Sequence, residues 1–250
     1  MFRLLLTAFA FSAALAASPA AAFDPAAMTD AEQAAFGQAI RAYILANPEL
    51  LVEAIGVLEA RQAAAETVSD QVLVLANADE IFSDSHSWVG GNPEGDVVMV
   101  EFMDYRCSYC RRAFDEVNQL IASDGNIRFV IKEFPILGPE SELSARFAVA
   151  VKQLAGDAAY KEAHDRLMTY RGDITVESLT RLAEELGQQP APILERMNAP
   201  EVTAVLEANH QLAQRLNVSG TPTFVIGEQM LRGYLPLDGM RQIVDGERKG

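Results

Sequence analysis

The chain has 250 residues, half of them hydrophobic and 22% charged, which is a globular composition and not that of a disordered chain. A formal net charge of −15 argues against nucleic acid or an anionic membrane surface as partner. A chain of this length can bury a core without covalent staples, so its two cysteines are not needed for bulk stability.

Residues 1–22 predict a cleaved export signal. Arg3 supplies a positive start, and Leu4 to Ala17 is an apolar run of about 14 residues, short for a membrane span of roughly 20. Ala20, Ala21 and Ala22 offer a small-residue cleavage site before Phe23, with a cut after Ala17 as the other choice. An uncleaved anchor or a first helix of the fold are the competing readings. Without Arg3, 19 basic residues face 35 acidic ones, a net charge of −16. Export would place the thiols where disulfides form and persist.

Residues 23–66 predict a separate helical region. Thr29 and Glu32 form a capping box, and Phe36, Ile40, Tyr43 and Ile44 fall on one helical face. Asn47-Pro48 restarts the helix, and Leu51, Ile55 and Leu58 continue an apolar stripe. Two such helices cannot bury their faces alone. They pack either on copies of themselves, the favoured reading, or on the parent domain. Residues 67–95 are expected to be a linker, rich in turn formers at "WVGGNPEGD", with Ile81, Phe82 and Trp88 docking part of it.

From 97 the pattern becomes α/β. "VVMVEFM" (97–103) reads as a buried strand, 108–123 as a helix, and "IRFVIKEF" (127–134) as a second strand, together a βαβ unit with parallel strands. Residues 139–217 read as helices, with Asp157, Thr175 and Pro200 as starts and Gly187 as a stop. "GTPTFVI" (220–226) is a strand, "QMLRG" its hairpin partner, and "PLDGMRQIVDGE" a closing helix.

Cys107 and Cys110, in "EFMDYRCSYCRR", are the only cysteines. As a staple they are poor: a loop of four yields only about 2 kcal/mol, against roughly 3 for a 15-residue loop. As a zinc site they lack partners, because His86, His164 and His210 are not at ligand spacing; two thiols alone could hold a soft ion such as Cu(I). Redox chemistry fits better. A strand-to-helix junction puts Cys107 at a helix N-terminus, where the dipole and free amides stabilise a thiolate, and Arg106, Arg111 and Arg112 add positive charge. Cys110 lies one turn on, on the same face, placed to displace a product from a mixed disulfide. Cys107 is the expected nucleophile and Cys110 the more buried, resolving thiol. Tyr105 and Met103 are expected to pack and not to react, and the histidines to be surface or partly buried residues.

"VVMVEFMDYRCSYC" with "VSGTPTFVIG" resembles the DsbA-like branch of the thioredoxin superfamily over about 90–250. The resemblance implies a thioredoxin fold with a helical insertion at about 139–199, a domain of 96–250, and a redox-active Cys107–Cys110 disulfide without other cofactor. It implies a cis-proline at Pro222 and, at Thr221, a backbone that pairs with an extended substrate segment. Threonine before the proline resembles disulfide isomerases more than DsbA itself. Ser108 and Tyr109, between the thiols, would tune the potential; serine stands where glycine is more usual. Glu101 matches a buried acid beneath the family's active site that could relay a proton to Cys110, its pKa raised by burial. The alternative is a strand carboxylate satisfied by a neighbour such as Lys132.

"AIRAYILANPELLVEAIGVLEARQ" resembles the N-terminal region of ScsC-like proteins, periplasmic bacterial proteins linked to copper tolerance, some of which assemble through that region and isomerise disulfides. This implies a periplasmic thiol:disulfide interchange protein, a homo-oligomer acting on unfolded or misoxidised exported proteins and served by a membrane redox partner. Isomerase or reductase action is favoured. The alternatives are a DsbA-like primary oxidase and a Cu(I)-sequestering protein using the same two thiols.

Overall fold

A computed structural model describes residues Met28–Lys249. The predicted signal segment and its cleavage site lie outside the described residues. The chain divides into two compact units, one ending at Ala60 and one beginning at Arg61.

In the first unit α1 (Asp30–Ala46) begins as its sequence requires. The Thr29 side chain accepts from the Glu32 amide at 3.4 Å, and the Thr29 amide donates to the Glu32 carboxylate at 2.9 Å. α2 (Glu49–Ala76) follows after Asn47-Pro48. α1 buries none of its residues. Ile40, Tyr43, Leu51, Ile55 and Leu58 of the predicted apolar stripe are exposed among the described residues, as is Val52.

The second unit is built on one sheet. The segment expected to be a linker is instead structured. α2 continues to Ala76, and α3 (Ala78–Phe82) and β1 (Trp88–Gly91) follow. Ile81 and Trp88 are buried and Phe82 packs against the core, so these three dock as expected, and buried charge adds to the docking. Lys132, fully buried, is ion-paired with Asp84 and donates to the Glu80 carbonyl at 2.6 Å. A buried charge left unpaired typically costs about 3–5 kcal/mol, so Asp84 and its loop are held in place. Arg232 likewise holds Asp70 of α2 at 2.8 Å. At β1 the Trp88 ring folds over Gly90, where any Cβ would overlap it, and stacks on Tyr160. That glycine is what admits an aromatic plug at the sheet edge.

The remaining elements are β2 (Val97–Met103), α4 (Ser108–Asp124), β3 (Ile127–Glu133), α5 (Pro139–Thr169), α6 (Val176–Glu185), α7 (Pro190–Arg196), α8 (Pro200–Arg215), β4 (Thr223–Ile226), β5 (Gln229–Arg232) and α9 (Leu237–Glu247). The sheet order is β1-β3-β2-β4-β5. β2 and β3 are parallel, joined through α4 as expected, and the other pairings are antiparallel. This is a mixed α/β sheet, and α5 to α7 lie between β3 and β4 where the helical insertion was expected. α7 was not legible as a separate helix. α5 breaks at Gly156 (φ +86), one residue before the Asp157 expected to start a new segment. The left-handed backbone there suits glycine and little else.

Strand alternation splits the core. Met99, Met103, Phe129 and Ile131 face a layer that includes Cys110, Ala113 and Val117 of α4. Val100, Phe102, Val130 and Val225 face the opposite layer, with Leu212 and Leu216 near the end of α8 and Val74 of α2. Glu101 shares the α4 side. Lys132 is in register with Phe102 and points to the other side.

Candidate active site

The site is set by how β2 turns into α4. Asp104, buried at the strand end, organises the turn. Its Oδ1 accepts from the Arg106 amide (2.7 Å) and the Ser141 hydroxyl (2.8 Å). Its Oδ2 accepts from the amides of Ile136 (2.8 Å) and Leu137 (3.1 Å). The Asp104 carbonyl accepts the Cys107 amide at 3.1 Å. Sequence reasoning missed Asp104. The available signal was an aspartate just outside a strand, the residue type that bonds the backbone two residues on.

Cys107 is then the N-cap of α4, with extended backbone (φ −72, ψ 119), and its Sγ accepts the Cys110 amide at 3.3 Å. The same Sγ lies 3.1 Å from the Thr221 carbonyl. The Thr221–Pro222 peptide bond is cis. The fold thus brings together residues more than a hundred positions apart. Both cysteines are free thiols, and Cys110 is the more buried, with no exposed surface against 6% for Cys107.

The two thiols have opposite electrostatics. Hydrogen bonding from the Cys110 thiol is the largest influence on Cys107. With bonds from the Thr221 side chain and the amides of Cys110 and Tyr109, it outweighs burial and lowers the pKa to about 6. The Thr221 carbonyl works the other way, since it accepts from the thiol form. Cys110 is pushed strongly upward by burial first, then by its bond to Cys107 and by the charges of Glu101 and Cys107. One thiol is poised as a thiolate and the other retains its proton.

None of the three arginines bonds to Cys107 Sγ among the described residues. Arg106 pairs with Glu140 at 2.7 Å, Arg111 donates to the carbonyls of Tyr105 (2.6 Å) and Tyr170 (2.8 Å), and Arg112 lies over the Tyr234 ring. The stabilisation of the Cys107 thiolate is local hydrogen bonding.

Glu101 is buried, and its Oε1 has no hydrogen-bond partner. The alternative of a carboxylate satisfied by Lys132 does not hold, because Lys132 is on the opposite sheet face and pairs with Asp84. Burial, and then the charge on Cys107, raises the Glu101 pKa to about 8.

Ser108 and Tyr109 are exposed on the first turn of α4, and Tyr109 stacks on Tyr234. Tyr105 is buried, as expected of a packing residue, but it belongs to a polar cluster that sequence reasoning missed. Glu133 Oε1 accepts from the hydroxyls of Tyr105 (2.7 Å) and Tyr160 (2.6 Å), and Tyr105 also meets His164 Nδ1 at 3.2 Å. Burial raises Glu133 to about 8 and lowers His164 to about 3. The expectation that all three histidines are surface or partly buried is therefore corrected for His164, which is buried and neutral. Among the described residues no group of three or more His, Cys, Asp or Glu is placed to hold a metal ion. No helix among them is long and apolar enough to cross a membrane.

Comparison with known proteins agrees with this geometry. Residues 98–245 match the DSBA-like thioredoxin domain, and residues 32–65 match the copper resistance protein ScsC N-terminal domain. A thioredoxin-like oxidoreductase from Silicibacter pomeroyi is 41% identical, with a TM-score of 0.66, covering 70% of this chain and 99% of that one. BcfH from Salmonella enterica Typhimurium is 31% identical with a TM-score of 0.72, over 88% of this chain and 97% of that one. The Na(+)/H(+) antiporter NhaA 1 of Salinispora arenicola is 29% identical over 159 residues, 62% of this chain. The chain spans only about a quarter of the length of that antiporter, 24%.

Proposed function

The chain belongs to the DsbA-like thioredoxin family, and from that membership we propose that it exchanges disulfides with exported proteins through Cys107 and Cys110. One observation carries the reading: a low-pKa Sγ that caps α4, is bonded by the Cys110 amide, and faces the cis-Pro222 loop. Cys107 thiolate attacks one sulfur of a substrate disulfide. The substrate S–S bond breaks, one substrate sulfur leaves as thiolate, and a mixed disulfide forms. Cys110 then loses its proton and attacks Cys107 Sγ, releasing the second substrate thiolate. The substrate gains two electrons and the dithiol becomes a disulfide; oxidation is the same sequence reversed. Thr221, beside the thiol, is the backbone against which an extended substrate lies, and Ser108 and Tyr109 set the potential. Incubating the reduced protein with a scrambled disulfide-bonded enzyme is expected to restore that enzyme's activity. If neither reactivation nor reduction of any disulfide substrate occurs, the reading is lost.

Glu101 serves as the proton relay for Cys110. Part of its raised pKa comes from the Cys107 thiolate. In the mixed disulfide that negative charge is gone, so the carboxyl ionises more readily at the step where Cys110 needs a base. Glu101→Gln is expected to slow release from the mixed disulfide about a hundredfold, the lower end for general acid–base catalysis. It should also remove the rise in that rate as pH increases through the Glu101 pKa. Equal slowing of attack and release by rapid-quench analysis would instead indicate a structural role.

Isomerase or reductase action is favoured over primary oxidation, and the support is the exposure of Ile40 and Tyr43 on α1 and of Leu51, Ile55 and Leu58 on the first part of α2. A dithiol that must stay reduced is protected if copies associate through these residues and enclose their active sites. On this reading residues 23–66 are an oligomerisation region and 96–250 the catalytic domain. The segment 1–22 directs export to the periplasm, and a membrane redox partner resets the dithiol. Cu(I) capture by the same two thiols is the alternative reading, and titrating the reduced protein with Cu(I) beside a disulfide-exchange assay separates the two: tight stoichiometric binding without exchange would favour it.

A further inference from the structure

Beside the first turn of α4, a cleft of about 410 Å³ is lined by Ser108 and by four arginines, Arg106, Arg111, Arg112 and Arg171. The cleft runs against the charge of the whole molecule, since only 20 residues of a chain with net charge −15 are basic. Little neutralises it. Glu140 is the one carboxylate in ion-pair contact with these arginines among the described residues. Arg111 is held by two backbone carbonyls, which leave its charge in place, and its Nη2 is buried without a hydrogen-bond partner. Arg171 is exposed and makes no hydrogen bond or ion pair among the described residues. Burial first, and then the charges of Arg106 and Arg171, disfavour the charged form of Arg111.

We propose that this cleft is a subsite for a carboxylate carried by the thiol or disulfide substrate close to its reacting sulfur. A guanidinium fork donates paired, charge-assisted hydrogen bonds to a carboxylate, and the exposed Arg171 is a donor with capacity to spare. Ser108 ties the cleft to the residue after Cys107, so a bound carboxylate lies beside the attacked sulfur. A locally basic cleft also steers anionic substrates that the acidic surface elsewhere repels. Two sources share this chemistry: an acidic side chain near a polypeptide's cysteine, and a small carboxylate-bearing thiol such as glutathione. The inference rests on Cys107 being the attacking thiolate.

The test uses the reduced full-length protein and two peptide disulfides that differ only in Glu or Gln two residues after the cysteine. At low ionic strength the Glu peptide is expected to react about tenfold faster, within the range of electrostatic steering. That ratio should fall toward one in Arg171→Gln, and in the unaltered protein at about 1 M salt, where the Debye length shrinks to roughly 3 Å. A parallel loss with glutathione disulfide in Arg171→Gln supports the subsite and includes the small thiol. A loss confined to the peptide supports it for polypeptides alone. A Glu-to-Gln ratio of one or less in the unaltered protein, or a ratio that Arg171→Gln leaves unchanged, overturns the subsite while exchange itself stands. Failure of both peptides to react overturns the exchange reading and the subsite with it.

Discussion

Cys107→Ser is expected to lower disulfide exchange by a thousandfold or more, on the order seen when a covalent nucleophile is removed. Cys110→Ser should give a different phenotype: the first attack survives, release does not, and a mixed disulfide with substrate accumulates. The asymmetry follows from the site. Cys107 holds the thiolate, and Cys110 is buried with its proton retained. Non-reducing electrophoresis of each variant with a disulfide-bonded substrate distinguishes the two. The sign of the pH dependence follows as well. Protonating Cys107 Sγ removes the nucleophile, so single-turnover attack should fall about tenfold per unit below pH 6 and level off above it. A midpoint near the ordinary thiol value of about 8.5 would mean that the bonds to Sγ do not hold the thiolate. The same bonds favour the reduced protein, because whatever stabilises the thiolate makes the disulfide more oxidising. A low Cys107 pKa therefore suits both an isomerase and an oxidase, and the choice between them falls to the N-terminal helices.

Leu51→Glu combined with Ile55→Glu is the second large effect. Both side chains are more than half exposed on α2, so the substitutions should leave the catalytic unit folded. They place charge on the apolar face by which copies are proposed to associate. The unaltered protein is expected to sediment as an oligomer at micromolar concentration and the double variant as a monomer. Reactivation of a scrambled substrate should drop at least about tenfold while oxidation of a reduced peptide persists, because shared enclosure matters to isomerisation and not to a single exchange. A monomeric unaltered protein, or a double variant with full isomerase activity, would remove the oligomer from the account.

The parts of this molecule that are local in sequence were legible before folding. The βαβ unit showed as two β-branched runs around an amphipathic segment, and α1 showed its start through Thr29 and Glu32. The thiol pair showed by its spacing and its place after a strand. What escaped depends on partners far along the chain. Residues 67–95 looked like a linker because their tail, "WVGGNPEGD", is rich in turn formers. Ile81, Phe82 and Trp88 dock as expected, and the pairs Asp70–Arg232 and Asp84–Lys132 hold the rest of the segment. Lys132, the neighbour suggested for Glu101, cannot serve it, because pairing register puts the two on opposite faces.

The sequence by itself determined the α/β class, the dithiol and the helix that presents it, since each rests on periodicity and spacing within a few turns of chain. Tertiary structure decided the chemistry. It brought the Thr221 carbonyl to 3.1 Å from Cys107 and left Glu101 Oε1 buried without a hydrogen-bond partner among the described residues. It also gathered Arg171 with three arginines some sixty residues away. The physical reason is that a thiol's acidity, a carboxyl's proton and a cleft's potential depend on distance and dielectric. Both are properties of the packed interior.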